Sequence, residues 1–119
     1  RGMRVPWALV SPAGEEFGME IVGWHRVRVP GGLTPEGLSI ARGVAQSIKD
    51  HGATQVFLIQ VCDDTVQFFD VWPDRVTFDR FTEWALASMA AEGPKHWDLM
   101  HGEYVSGGDG NGEVVFALR

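Results

Sequence analysis

Residues 54–72 read TQVFLIQVCDDTVQFFDVW, and this stretch decides how the rest of the chain is interpreted. Two β-rich runs, 54–62 and 65–72, are separated by Asp63 and Asp64, a pair typical of a tight turn. The first run is almost continuously apolar, which predicts a central strand covered on both faces. The sequence therefore predicts a β-hairpin at the middle of a sheet.

Two further strands are predicted upstream of this hairpin. Apolar and polar side chains alternate over 17–29, the clearest period of two in the chain. Gly23 lies in the middle of that run and predicts a bulge or a bend. An earlier strand is predicted over 4–10, and Pro6 places it at a sheet edge because proline has no amide hydrogen for the ladder.

Two amphipathic helices are predicted between the strands. The first is capped by Thr34, followed by Pro35, and ends before Gly52. The second opens at Thr77 and stops at Gly93, which is followed by proline. Its apolar stripe consists of Phe78, Phe81, Trp84, Ala85 and Met89.

The C-terminal part predicts a strand over 97–105, a flexible glycine-rich loop over 107–112 and a closing strand over 113–118. The element order is then ββαββαββ, which contains βαββαβ, the connectivity of a ferredoxin-like sandwich. The predicted fold is α+β, with five or six mostly antiparallel strands and two helices on one face. Such connectivity by itself implies no function.

Composition limits the classes of protein that this chain can represent. The length of 119 residues and the hydrophobic content of 45% predict a single domain over 3–119. Arg1-Gly2-Met3 is interpreted as a protease-site remnant followed by the native start at Met3. A net charge of -6 argues against binding to nucleic acids or anionic membranes. The single cysteine, and the lack of an apolar run of about 20 residues, predict a cytoplasmic protein.

The predicted sheet carries more apolar surface than two helices can cover. Two helices about 10 Å wide cover about four strands, spaced about 4.8 Å apart, on one face only. Most predicted strands are apolar on both faces, so the second face needs a second copy, a ligand or strong coiling of the sheet upon itself. We expect a homodimer with a pocket for a small apolar or aromatic molecule at that uncovered face. The expected contact residues are Val22, Trp24, His25, Phe68, Asp70 and Trp72.

Catalysis is a second hypothesis for the same residues. A carboxylate can orient a histidine ring and raise its basicity, so His25 with Asp70, or else the segment from His96 to Glu103, would suit a small isomerase, lyase or hydrolase. Alternation along one strand does not fix the register between strands, so the sequence leaves this pairing open. A third hypothesis, a regulatory or toxin-neutralising partner protein, rests on the acidic balance alone. Binding is favoured over catalysis.

Motifs for cofactors and ions are weak. Arg26 and Arg28 precede Gly31, Gly32 and a helix start, a combination that would suit a carboxylate or phosphate. No P-loop or GxGxxG follows, so no cofactor is expected. Segment 96–103 contains two histidines and two carboxylates, but in a strand at most two of the four converge, so no metal site is expected.

Overall fold

The computed structural model describes residues 19–118, which contain five strands and three helices. The strands are β1 (Ile21–Arg28), β2 (Gln55–Cys62), β3 (Thr65–Trp72), β4 (Glu103–Tyr104) and β5 (Gly110–Glu113). The helices are α1 (Pro35–Asp50), α2 (Arg75–Ala90) and α3 (His96–Leu99). The strand predicted over 4–10 lies outside the described residues. None of the three helices is long and apolar enough to cross a membrane.

The five strands form one antiparallel sheet in the order β2-β3-β1-β4, with β5 also paired to β1. β4 lies beside the carboxyl end of β1, where Val27 faces Tyr104, and β5 lies beside its amino end, where Ile21 faces Glu113. Strands and helices follow one another as βαββααββ, and with α2 and α3 taken together as the connection from β3 to β4 this order contains βαββαβ, so the predicted ferredoxin-like core is confirmed.

Gly23 does not mark a bulge, because β1 and β3 pair without interruption from Ile21 to Arg28. Its role is to leave space. A Cβ atom at this position would lie 2.5 Å from Asp70 Oδ1 and 2.9 Å from a ring carbon of Phe78. The irregularity in the sheet lies in β2, between Gln60 and Cys62. The prediction of a bulge at Gly23 was therefore wrong, and the glycine instead lets a carboxylate and an aromatic ring approach the backbone.

Strand β2 is an edge strand in the described part of the sheet, not the central strand that its apolar run predicted. Among the described strands it pairs with β3 alone. Exposed and half-buried side chains alternate over 55–58, and the side chains of 59–62 are exposed. Phe57 and Ile59 are 40% and 43% exposed. An apolar run indicates that both faces of a strand carry apolar side chains, but it does not fix the position of that strand in the sheet.

Local capping chemistry sets the boundaries of the two long helices. The Thr34 hydroxyl accepts a hydrogen bond from the Gly37 amide at 3.0 Å, and Gly52 adopts a φ of 114° just beyond α1, as predicted. Helix α2 begins earlier than predicted, because its cap is Asp74 rather than Thr77. The Asp74 carboxylate accepts from the amide and the hydroxyl of Thr77, each at 2.8 Å.

The core lies on the face of the sheet that the helices cover, which we call the covered face. One cluster joins β1 and β3 to α1 and the residue after α3: Val27, Val29, Ala41, Val66, Phe68 and Met100. The other joins the same strands to α1 and α2: Ile21, Ile48, Ala53, Trp72 and Phe78. Both clusters use alternate residues of β1 and β3, so all three described helices pack on one face.

Two C-terminal predictions were wrong. Residues 96–99 form a helix rather than part of a strand, because the Asp98 carboxylate accepts from the Lys95 amide at 2.9 Å and caps the turn. The predicted flexible loop contains β5, whereas the predicted strand over 113–118 contributes only its first residue. Gly110 faces the Trp24 indole, where an added Cβ would lie 2.9 Å from the ring, so glycine allows the aromatic side chain to cover this strand.

Candidate functional site

A cavity of about 510 Å³ lies between the covered face and the helices, a volume that suits a small-molecule ligand. The sheet lines it with Gly23, His25 and Asp70, and α3 adds His96 and Trp97. The cavity wall from α2 includes Phe78, Phe81, Trp84 and Ala85. Most of this wall is aromatic or aliphatic, with a few polar groups.

The cavity exists because only the first half of α2 packs tightly on the sheet. Phe78 is almost buried, and the Phe81 ring stacks on Trp72 at 4.8 Å between centroids. One turn later, Trp84 is 46% exposed and packs on the His51 ring at 4.1 Å. The apolar stripe therefore continues past the point where the sheet supports it, which leaves an apolar space beside the strands.

Two histidines from distant parts of the chain meet at this cavity. The His25 ring stacks on Phe68, its cross-strand partner on β3, with ring centroids 4.6 Å apart and an angle of 7° between the planes. Its Nε2 lies 3.2 Å from Nε2 of His96, at the start of α3. The two imidazole planes are nearly perpendicular, at 78°. This distance permits one N–H···N hydrogen bond between the rings.

Both rings are neutral near pH 7. Burial and the nearby His96 together lower the pKa of His25 to about 4, against an opposing effect of Asp109. Burial likewise lowers the pKa of His96 to about 4, against a smaller opposing effect of Asp98. A hydrogen bond between two neutral imidazoles requires that one Nε2 carries a proton and the other accepts it.

Asp70 is the buried carboxylate of the cavity. It is 3% exposed, and its Oδ1 accepts a hydrogen bond from the Trp72 indole nitrogen. Burial raises the pKa of Asp70, and the bond from Trp72 opposes that change. The missing side chain of Gly23 provides the space that this carboxylate occupies.

Tyr104 and Trp97 form the wall of the cavity near α3. Their rings lie 5.1 Å apart. Burial raises the pKa of the Tyr104 hydroxyl, and a hydrogen bond and the negative charge of Asp109 raise it further. Tyr104 faces Val27 across the strand pair, so it belongs to the covered face.

The six residues expected at one uncovered pocket lie on two different faces. Four of them are on the covered face: His25, Phe68, Asp70 and Trp72. Val22 and Trp24 point to the opposite side, because side chains alternate along β1. Three of the six border the cavity, namely His25, Asp70 and Trp24, whereas Phe68 and Trp72 are fully buried in the core.

The hypothetical His25–Asp70 pair does not form a hydrogen bond in the structure. His25 bonds to His96, and Asp70 accepts from Trp72. From the sequence, His96 was predicted only as part of segment 96–103, which was rejected as a metal site and kept as an alternative catalytic segment, and Tyr104 was not singled out. The signal for His96 was local: Pro94 and Lys95, followed by Asp98, are typical of a helix start.

Both arginines of the predicted anion site bond to other side chains in the structure. Arg26 donates from Nε and Nη2 to Gln67 Oε1, at 2.9 and 2.5 Å. Arg28 donates to Asp64 at 3.0 Å and to Glu103 at 2.9 Å. Gly31 and Gly32 adopt φ values of 84° and 92° in the turn that follows β1. Within residues 19–118, no group of three or more His, Cys, Asp or Glu side chains could hold a metal ion.

The opposite side of the sheet, which we call the open face, carries a continuous set of apolar side chains. Its members are Val22, Trp24, Phe57, Ile59, Phe69 and Val71. The Phe57 and Phe69 rings stack across β2 and β3 with centroids 5.4 Å apart. No described helix packs on this face, because α1, α2 and α3 all contact the core on the other side.

Comparison with known proteins gives the fold and no family. No family model matches the chain, and no curated protein matches it. A solved dimeric ferredoxin-like protein from an uncultured marine organism is similar, with a TM-score of 0.54 and 10% identity over 84% of this chain and 99% of that one. SnoaB, a cofactor-independent oxygenase from Streptomyces nogalater, has a TM-score of 0.51 and 19% identity over 86% of this chain and 95% of its own. The fold is ferredoxin-like.

Proposed function

We propose that the protein binds a small, uncharged aromatic molecule in the cavity and acts as a homodimer joined through the open face. The observation that carries the first part is the cavity of about 510 Å³ beside His25, His96 and Asp70. Mostly apolar walls with a few convergent polar groups are typical of small-molecule sites. The proposed site for the apolar or aromatic ligand is therefore on the covered face rather than on the open face.

The polar groups of the cavity favour an uncharged ligand. Both histidines are neutral near pH 7, because burial lowers the pKa of each to about 4. Asp70 and Asp109 line the cavity and would repel an anion. The ammonium of Lys95 donates to the Ala91 carbonyl. An aromatic molecule with a hydroxyl or carbonyl group would match the walls and could bond to the imidazoles.

The open face supports self-association. Three strands about 4.8 Å apart and eight residues long, at about 3.4 Å per residue, present a patch of a few hundred Å², about the largest that monomers leave exposed. Two sheets packed face to face would bury such a surface. One solved structure of similar fold is described as dimeric, which agrees with this proposal.

A matched pair of ligands tests the cavity. We expect 2-naphthol to shift the amide resonances of β1, α2 and α3 in heteronuclear NMR spectra, with saturation at increasing concentration. 2-Naphthoate has the same ring system with a carboxylate, and we expect it to bind at least about tenfold more weakly because Asp70 and Asp109 line the cavity and repel an anion. Equal binding of the two compounds, or shifts confined to the open face, would contradict the proposal.

An isomerase is a second candidate function, and a specific contact favours it. The hypothesis that a histidine–carboxylate pair performs catalysis finds no such pair here, but the His25–His96 contact brings two neutral imidazoles together at the cavity. Rings of this kind can accept and donate protons at the same site. The regulatory or neutralising partner stays a hypothesis that rests on the net charge of -6 alone.

A further inference from the structure

His25 and His96, which we call the histidine pair, contact each other through one ring nitrogen each. The second nitrogen of each ring takes no part in that contact. The Nε2 atoms face each other at 3.2 Å, and among residues 19–118 neither Nδ1 has a hydrogen-bond partner. No buried side-chain nitrogen or oxygen in that part of the chain lacks a partner, so both Nδ1 atoms must be accessible. Both residues line the cavity, so a ligand there can reach the pair.

The hydrogen bond between the rings makes their free nitrogens chemically different. A neutral imidazole carries one proton. The ring that donates through Nε2 therefore has a bare Nδ1, which is an acceptor, and the ring that accepts through Nε2 has a protonated Nδ1, which is a donor. His25 and His96 together offer one acceptor and one donor. The two roles are exchanged when the shared proton moves from one Nε2 to the other while the first ring gains a proton at Nδ1 and the second ring loses one there.

We propose that the His25–His96 pair catalyses tautomerisation, by proton relay, of an uncharged aromatic ketone or enol held in the cavity. This inference rests on the proposed function, because it requires that such a molecule binds there. The acceptor Nδ1 removes a proton from the carbon next to the carbonyl. The C–H electron pair forms the new C=C bond, and the carbonyl π pair moves to oxygen, which takes the proton from the donor Nδ1.

The relay consumes no further reactant, and proton exchange with water returns the two rings to their starting tautomers before the next turnover. As the first ring gains a proton at Nδ1, its Nε2 proton passes to the second ring, which has just lost a proton at Nδ1. Both rings are neutral before and after the step, with their tautomers exchanged. Substrate and product differ only in the position of one proton and one double bond, so the atoms and electrons balance.

Burial favours this route over a step through a charged imidazole. An imidazolium ion is costly at both positions, because burial lowers the pKa of each ring to about 4. The carboxylates that act on the pair are Asp109 for His25 and Asp98 for His96. Asp70 lies on the same face as His25, two residues after Phe68 on β3. Its carboxylate accepts a hydrogen bond from the Trp72 indole. A concerted relay creates no net charge, so the cavity does not need to stabilise an ion.

The test uses 2-indanone, an uncharged bicyclic ketone, and follows the loss of its α-proton signal in D₂O by NMR. We expect the protein to increase the exchange rate by about 100-fold or more over protein-free buffer, as is typical of positioned acid–base groups. H25Q and H96Q should each remove most of this increase, and the double variant should be no slower than either single one, because the rings act as a unit. H101N is the matched control: His101 is exposed, and its φ of 59° suits asparagine.

Binding is measured on the same samples by the amide shifts that 2-indanone causes, so the two proposals fail separately. Saturable binding in the cavity without faster exchange would overturn the relay and leave the proposed function standing. Absence of binding would overturn both. If the histidine variants do not fold, the wild-type profile decides: the relay predicts a rate independent of pH from 6 to 8, and a rate that rises tenfold per pH unit would overturn it.

Discussion

The covered face and the open face of the sheet have similar apolar content but different polar partners. On the covered face, His25 and Asp70 stand among buried apolar residues, and each bonds to a side chain that helix α3 or strand β3 supplies. On the open face, Arg26 and Gln67 bond to each other beside Phe69 and its neighbours. The polar groups of the covered face therefore border a cavity, whereas those of the open face form a pair at the margin of an apolar surface.

This difference shows what a helix layer does when it does not follow the whole sheet. Where α1 and the first half of α2 pack closely on the sheet, the covered face forms a core of buried apolar side chains around Trp72 and Phe68. Where α2 continues beyond Phe81, the sheet and helix enclose a space large enough for a ligand. The open face has no described layer over it, so it is the surface on which a second copy could pack.

Truncation at the centre of the covered face should have the largest effect. Trp72→Ala removes a fully buried ring and leaves Asp70 without its indole donor, so we expect a loss of about 3–5 kcal/mol in the free energy of unfolding. Phe57→Ala, on the open face, should cost the folded protomer less than about 1 kcal/mol. Urea denaturation measures both at a concentration where the protein is monomeric, and equal losses would remove the distinction between the faces.

Acidification should weaken the covered face through the histidine pair. Their pKa is about 4 in the folded protein and 6.5 in the unfolded chain, so the unfolded chain binds more protons between these values. The stabilising contribution is complete above pH 6.5 and is lost as the pH falls towards 4, by roughly 3 kcal/mol for one ring.

His25→Phe keeps an aromatic ring on Phe68 and removes one titrating group. Its free energy of unfolding should therefore fall less than that of the wild type between pH 6.5 and 4, in urea titrations at fixed ionic strength. Identical pH dependence of the two proteins would show that His25 is not held neutral in the folded state.

A charge on the open face should separate the protomers and leave the covered face intact. Phe57→Asp places a carboxylate in the proposed interface, and we expect the dimer to dissociate at least about 30-fold more readily, or about 2 kcal/mol. Val76→Asp is the control, because Val76 is 60% exposed on α2, away from the open face. Light scattering after size-exclusion chromatography gives the masses. A monomeric wild type, or a dimer that resists Phe57→Asp, would break the proposal for this face.

The smallest effect should come from neutralising the buried carboxylate. The pKa of Asp70 is raised by burial, so its ionised form destabilises the fold, and this cost grows as the pH rises through its folded-state pKa. Asp70→Asn keeps an oxygen that can accept from Trp72 and should increase stability at pH 7 by roughly 1 kcal/mol. Thermal denaturation should show the gain shrinking at low pH, and a constant gain would contradict the assignment.

Features set by neighbouring residues could be predicted from the sequence. Helix α1 has its cap, its first proline and its terminal glycine within 19 residues, from Thr34 to Gly52, and the structure confirms both ends. The hairpin of β2 and β3 was predicted from its two β-rich runs and its acidic turn. These signals act over a few residues, so no knowledge of the tertiary structure is needed.

Features set by distant residues could not be predicted. β5 forms where Gly110 and Gly112 pack against the Trp24 indole, and Trp24 lies 86 residues before Gly110. The sequence marked His25 and Asp70 as polar residues in apolar strands, but the partner of His25 is 71 residues away. Register and helix placement decide such contacts, and neither follows from the period of a single strand.

A crystal structure of the protein with bound 2-naphthol tests the central claim most directly. We expect the naphthol ring to lie between the sheet and α2, with its hydroxyl within hydrogen-bond distance of His25 or His96 and a second protomer packed on the open face. A ligand sandwiched between the sheets of two protomers, with the space beside α2 filled by protein side chains, would contradict it.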